Sequence, residues 1–137
     1  MILLDTNVLS ELRKGARADS NVRSWFENVP AAAIHLSVLV VGEINRGIEL
    51  IRRRDPTAAT ALDGWLATIE RDHRDRILDV TLEVVETWAR FNVPDPLPVI
   101  DSLLAATAHV HALTLATRNV KDIARTGVPV VNPFDPA

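Results

Sequence analysis

The chain contains no cysteine, which excludes a disulfide framework, a thiol nucleophile and every cysteine-based zinc site. A metal, if there is one, must be held by oxygen or histidine. His109 and His111 are two positions apart on a helical stretch and point to different sides of it, so they do not form a zinc pair. Aromatic residues make up only 4% of the chain, and Trp25, Trp65 and Trp88 therefore read as core or subunit-interface residues rather than stacking platforms. No apolar run approaches the length needed to span a bilayer. The apolar start, Met1 to Leu4, lacks a basic flank and is broken at once by Asp5, so no signal peptide is expected and the expectation is a cytoplasmic protein without membrane contact. A formal net charge of -3 supplies no overall basic footprint for nucleic acid, and a polyanionic substrate would have to meet clustered arginines. Ser37 has no histidine in a triad-like context, which argues against a serine nucleophile.

The 137 residues suit one domain, residues 1–137, with a single packed core. Short apolar runs at Met1–Leu4, Ile34–Ser37, Ile77–Val80 and Thr114–Ala116 read as buried strands. Val128–Val131, split by Pro129, reads as a last strand on an edge. Between them the spacing predicts helices near Val8–Arg13, Ser20–Glu27, Val38–Arg53, Pro56–Glu70, Leu82–Phe91, Val99–Ala112 and Val120–Arg125, and Pro94–Pro98 ends one helix and starts the next. The charged run Arg71–Arg76 reads as a solvated loop. Strands alternating with helices give an α/β fold with a mostly parallel sheet, because parallel neighbours need crossover connections.

Asp5 ends the first strand, the edge of an open α/β sheet where ligands bind. On the helical wheel Glu43 falls among Leu39, Val40, Gly47 and Leu50, and Asp101 lies over Leu104, Ala105 and Ala108, so two further acids point where apolar residues belong. Asn119 and Asp122 follow the fourth strand. Gathering such charges is costly: a like-charge pair at ~4 Å and an effective dielectric near 20 costs about 4 kcal/mol. A hard divalent cation, Mg²⁺ or Mn²⁺, relieves this for an all-carboxylate set and also polarises phosphate oxygens and activates water, which makes phosphodiester hydrolysis the natural chemistry. Structural roles stand beside each of these. Asp5 reads equally as a helix cap, Glu43 as a partner of Arg46, Asp101 as a helix-start acid, and Asn119 with Asp122 as a capping box.

Four segments carry a resemblance: MILLDTNVLSEL at the start, LSVLVVGEINRGI around Glu43, IDSLLAATAHVHALTLATRNVKDI, and the tail VVNPF. In that order and spacing, over nearly the whole length, the chain resembles the PIN-domain ribonucleases, in particular VapC-type toxins of toxin–antitoxin modules, including FitB-like members. The resemblance implies a PIN-like α/β/α sandwich and Mg²⁺- or Mn²⁺-dependent endonucleolytic cleavage of RNA. It also implies inhibition by a VapB-type antitoxin, contact with DNA only through the antitoxin complex, and a homodimer. Asp5, Glu43 and Asp101 match the acidic, metal-holding positions. At the fourth position some relatives carry an aspartate where this chain has Asn119, whereas here Asp122 follows three residues later, so both are candidates. Asn7, Ser37 and Thr117 match supporting positions. Two other readings remain: a PIN nuclease of RNA processing that works without an antitoxin, and a haloacid-dehalogenase-type phosphatase. The second would need an aspartate where Asn7 stands.

Overall fold

The computed structural model describes residues 1–136. Among them five strands form one all-parallel sheet in the order β3-β2-β1-β4-β5. The strands are β1 (Ile2–Leu4), β2 (Ile34–Ser37), β3 (Ile77–Leu78), β4 (Thr114–Ala116) and β5 (Val130–Val131). The helices are α1 (Thr6–Leu12), α2 (Ser20–Glu27), α3 (Val38–Arg52), α4 (Pro56–Asp72), α5 (Leu82–Phe91), α6 (Val99–Val110) and the single turn α7 (Val120–Ile123). β5 lies on an edge, where Pro129 leaves no ladder donor missing from a central strand.

The apolar runs become strands because both of their faces are covered. Leu4, Ile34 and Leu36 line a small apolar space with Leu9, Phe26 and Trp65, so α1, α2 and α4 cover one face. Strand alternation turns Leu3 and its register partner Leu115 to the other face, and both are buried. α6 packs against β4 and buries the unbroken run Leu104 to Ala108, whose small side chains allow close approach to the strands. Pro98 caps α6 and the chain between α5 and α6 is pinned where Leu97 N–H donates to Asn92 Oδ1 at 2.7 Å.

Two expectations change. The run Arg71–Arg76 is solvated over most of its length but is not a loop: α4 continues to Asp72, Arg74–Arg76 forms a 3-10 turn, and Arg76 Nε donates to the Ile34 carbonyl at 2.9 Å. An arginine is drawn inward here because β3 pairs with β2 only from Leu36 onward, so the start of β2 has no strand partner on that side and the Ile34 carbonyl takes the guanidinium instead. Glu43 also lies off the buried line of α3, which is Val40, Ile44 and Ile48. Its side chain is exposed, since α4 covers only part of the arc that periodicity alone makes apolar.

The order of the strands decides where a site can form. The chain builds outward from β1 through β2 to β3, then returns to the far side of β1 to lay down β4 and β5. The reversal leaves a crevice at the carboxyl ends of β1 and β4, the ligand position in open parallel sheets.

Candidate active site

Asp5 occupies that crevice. Only 4% of it is exposed, and its two oxygens do different work. Oδ1 accepts from the Thr6 backbone N–H at 2.6 Å and caps α1. Oδ2 accepts from Thr117 Oγ1 at 2.6 Å and from Asn7 Nδ2 at 3.2 Å. The structural and the chemical readings of Asp5 therefore hold together, one on each oxygen. Burial pushes its carboxyl above the ordinary range. The bonds from Thr117 and Thr6 work against that rise, and the charge of Glu43 adds to it.

Thr117 ties β4 to this acid. It gives its one proton to Asp5 and accepts the Asn119 N–H at 3.0 Å. Asn119 starts α7, but its side chain makes no capping bond, so the capping-box reading is not realised. Instead it supports the ionised form of Asp101.

Asp101, in the first turn of α6 and half-buried, also has its carboxyl pushed up. Burial is the main cause, followed by the charges of Asp5 and Asp122, with Glu43 adding a smaller push. Four carboxylates thus share one local field, drawn from positions 5, 43, 101 and 122. Glu43 enters it from α3 through Thr6, whose Oγ1 donates to Oε1 at 2.5 Å. Both residues line a cleft of about 110 Å³ between α1 and α3. Thr6 is the residue that sequence reasoning missed. Its signal was present, because a hydroxyl directly after a strand-terminal acid falls at the first helical position and faces the neighbouring helix. Ser37 has a local role: its buried hydroxyl accepts from Leu39 N–H at 3.0 Å and caps α3.

The acids are close enough to repel but are not closed around one point. Among the described residues no three histidine or carboxylate side chains form a ready-made metal cage.

Comparison with known proteins gives a consistent set of likenesses. A family model described as PIN domain matches residues 2–128. The chain is 28% identical to VapC ribonuclease Y4jK of Sinorhizobium fredii, covering all of both proteins. It is 28% identical to Toxin FitB of Neisseria gonorrhoeae, covering 98% of this chain and 99% of that protein. A solved structure of FitAB bound to an IR36 DNA fragment superposes with a TM-score of 0.90 at 27% identity, covering 100% of this chain and 98% of the other.

Proposed function

Since the chain belongs to the PIN-domain family, we propose that it is a Mg²⁺- or Mn²⁺-dependent endoribonuclease and the toxin of a toxin–antitoxin pair. The observation that carries the metal reading is the gathering of acids around the buried Asp5: burial pushes the Asp5 and Asp101 carboxyls up, Glu43 adds to the rise of Asp5, and Asp5 and Asp122 add to that of Asp101. A protein that buries repelling acids beside one another lowers its own stability unless a cation relieves them. The donor set fits Mg²⁺ or Mn²⁺: every candidate ligand is a carboxylate oxygen, and Mg²⁺ takes one or two carboxylates while keeping several waters, so a closed cage is not required.

In this reading Asp5 and Asp101 hold the cation, and Glu43 and Asp122 approach it directly or through water. When bound, the cation polarises the phosphate and lowers the pKa of water at the site. The chain's own residues set the geometry. Thr117 and Asn7 fix the orientation of the Asp5 oxygen that faces the crevice, Thr6 aims Glu43, and Asn119 steadies Asp101. By analogy with the family the products carry 5′-phosphate and 3′-hydroxyl ends. The haloacid-dehalogenase reading loses support, because the position where that chemistry needs a second acid holds Asn7, whose amide donates to Asp5 Oδ2.

The toxin part of the reading is supported by the likeness to Toxin FitB and to FitAB on DNA. It includes a VapB-type antitoxin as partner, DNA contact through that complex, and a homodimer. Apolar side chains exposed on and beside α5, Leu82 and Val93 among them, supply surface that partner contacts would cover. Among the described residues no helix is long and apolar enough to cross a membrane.

The purified protein is expected to cut RNA with Mg²⁺ or Mn²⁺, to stop with EDTA and to resume when Mn²⁺ is restored. Cleavage that continues undiminished after exhaustive chelation overturns the metal reading. A second expectation concerns pH. Thr117 donates to Asp5 and holds its pKa down, so Thr117→Val raises it further and Asp5 ionises only at higher pH. The acidic limb of the pH–rate profile should move up in the variant, with much of the lost rate recovered on the alkaline side. A uniform loss at every pH would show that Thr117 acts on position alone.

A further inference from the structure

Arg118 follows Thr117, so the same turn sends one side chain to Asp5 and the next outward. Its backbone N–H donates to Asn7 Oδ1 at 3.3 Å, and Asn7 donates onward to Asp5, which places Arg118 one side chain away from the buried carboxylate. Its guanidinium lies over the Phe134 ring, with Cζ 3.7 Å from the ring centroid. Phe134 is itself held firmly: its N–H donates to Asn132 Oδ1 at 3.0 Å, and its carbonyl accepts from Asn21 Nδ2 at 2.9 Å. The tail VVNPF, to which the site described above assigns nothing, therefore ends in a fixed aromatic seat for a cation.

That seat has a chemical consequence. Five side-chain ion pairs occur among the described residues, and none includes Arg118. Glu11 lies near enough to feel its charge, but that carboxylate is already taken by the Asp19 N–H and by Lys14. An arginine positioned by a carboxylate spends its charge and its fork of donors on that partner. An arginine positioned by an aromatic ring keeps both, and the fork matches a phosphate. The surrounding basin, about 510 Å³ and shallow, is lined by Arg118, Asn119, Lys121, Asp122 and Asn132, so it shares Asn119 and Asp122 with the acidic site. Asp122 and Asp135 border it too, and an approaching polyanion meets net attraction only where the cations stand forward.

We infer that Arg118, seated on Phe134, binds a backbone phosphate of the RNA strand next to the one that is cut, with Phe134 as its positioning residue. This rests on the ribonuclease reading and adds to it the direction in which the strand leaves the acidic crevice, across the α7 turn toward the carboxyl-terminal tail.

The test is steady-state cleavage of an end-labelled single-stranded RNA and of a dinucleotide too short to reach Arg118, over a range of salt. Parent, Arg118→Ala, Arg118→Lys and Phe134→Leu are compared, with melting temperatures measured alongside. For the long RNA, Arg118→Ala should raise KM on the order of tenfold, as expected for loss of a hydrogen bond to a charged group, and leave kcat unchanged. Its plot of log(kcat/KM) against log[salt] should be shallower by about 0.7, the contribution of one phosphate on a single strand. Arg118→Lys should recover part of the loss, since it keeps the charge without the fork. Phe134→Leu should raise KM less than Arg118→Ala. Dinucleotide cleavage should be unaffected. Parent and Arg118→Ala with equal KM and equal salt slope overturn the inference. So does a loss that falls on kcat or tracks a lowered melting temperature, or a defect confined to binding an acidic protein segment. If the parent cuts neither RNA, the ribonuclease reading itself fails, and that outcome is separable from a parent that cuts and a variant that matches it.

Discussion

Asp101→Asn is expected to lose RNA cleavage by on the order of a hundredfold or more, the loss of several kcal/mol of charge stabilisation at the reacting phosphate, and to melt at a higher temperature than the parent in metal-free buffer at neutral pH. The pairing of these two results is the informative part. The Asp101 carboxyl is pushed up by burial and by Asp5 and Asp122, so the folded protein binds its proton more tightly than the unfolded chain does. Stability from this group therefore falls as pH rises from the unfolded pKa through the folded one, and the penalty is complete above the folded pKa. Asparagine keeps the shape and removes the charge. It also gives up a small favourable interaction of the acid with the start of α6, worth roughly 0.3–1 kcal/mol, which the relief of repulsion must exceed. Added Mn²⁺ should raise the melting temperature of the parent, because a ligand that binds only the folded state stabilises it, and should raise that of Asp101→Asn much less. Melting curves with and without Mn²⁺, beside cleavage assays, check all three. A variant that is inactive and also less stable than the metal-free parent would show that Asp101 is there for structure.

Leu115→Ala should cost about 3 kcal/mol of folding free energy, within the usual range of 2–5 for a buried leucine, and lower the melting temperature by roughly 10 °C for a domain of this size. Leu115 is 1% exposed and lies in β4, paired in register with Leu3 of β1 at the middle of the sheet. It belongs to the buried core together with Leu3, Leu104, Ala105 and Ala108, where close packing lets neighbours relax only partly into the space a lost side chain leaves. Leu50→Ala is the control: Leu50 is 49% exposed on α3, and its loss should stay within about 0.5 kcal/mol. Chemical denaturation of the two variants compares them directly. Equal midpoints would mean that the centre of the sheet is not where the core is tightest. The Leu115 change should also reach the site, since Thr117 and Asn119 take their positions from the end of the same strand.

What could be read from residue order was what depends on near neighbours. Strand runs that must be buried on both faces are continuous in sequence, so β2 and β4 were predicted at their observed limits, as were α2 and α5. Asp5 stood out because a strand end is a local event, and Asp101 because one helix turn sets it against small apolar neighbours. The errors arose where a distant element decides. Glu43 was assigned to the buried arc of α3, yet which part of that arc is covered depends on where α4 lands. Arg76 was assigned to solvent, although a carbonyl of β2, 42 positions earlier, captures it.

The amino-acid order by itself determined the alternation of strands and helices, the chemistry of the acids and the absence of any thiol, since these follow from short-range periodicity and composition. Only the tertiary structure decided that β4 returns beside β1, and with it that Thr117 bonds to Asp5, that the charges of Asp5 and Asp122 bear on Asp101, and that Arg118 comes to rest on Phe134. Those are contacts between residues far apart along the chain, and their geometry is set by how the whole core packs.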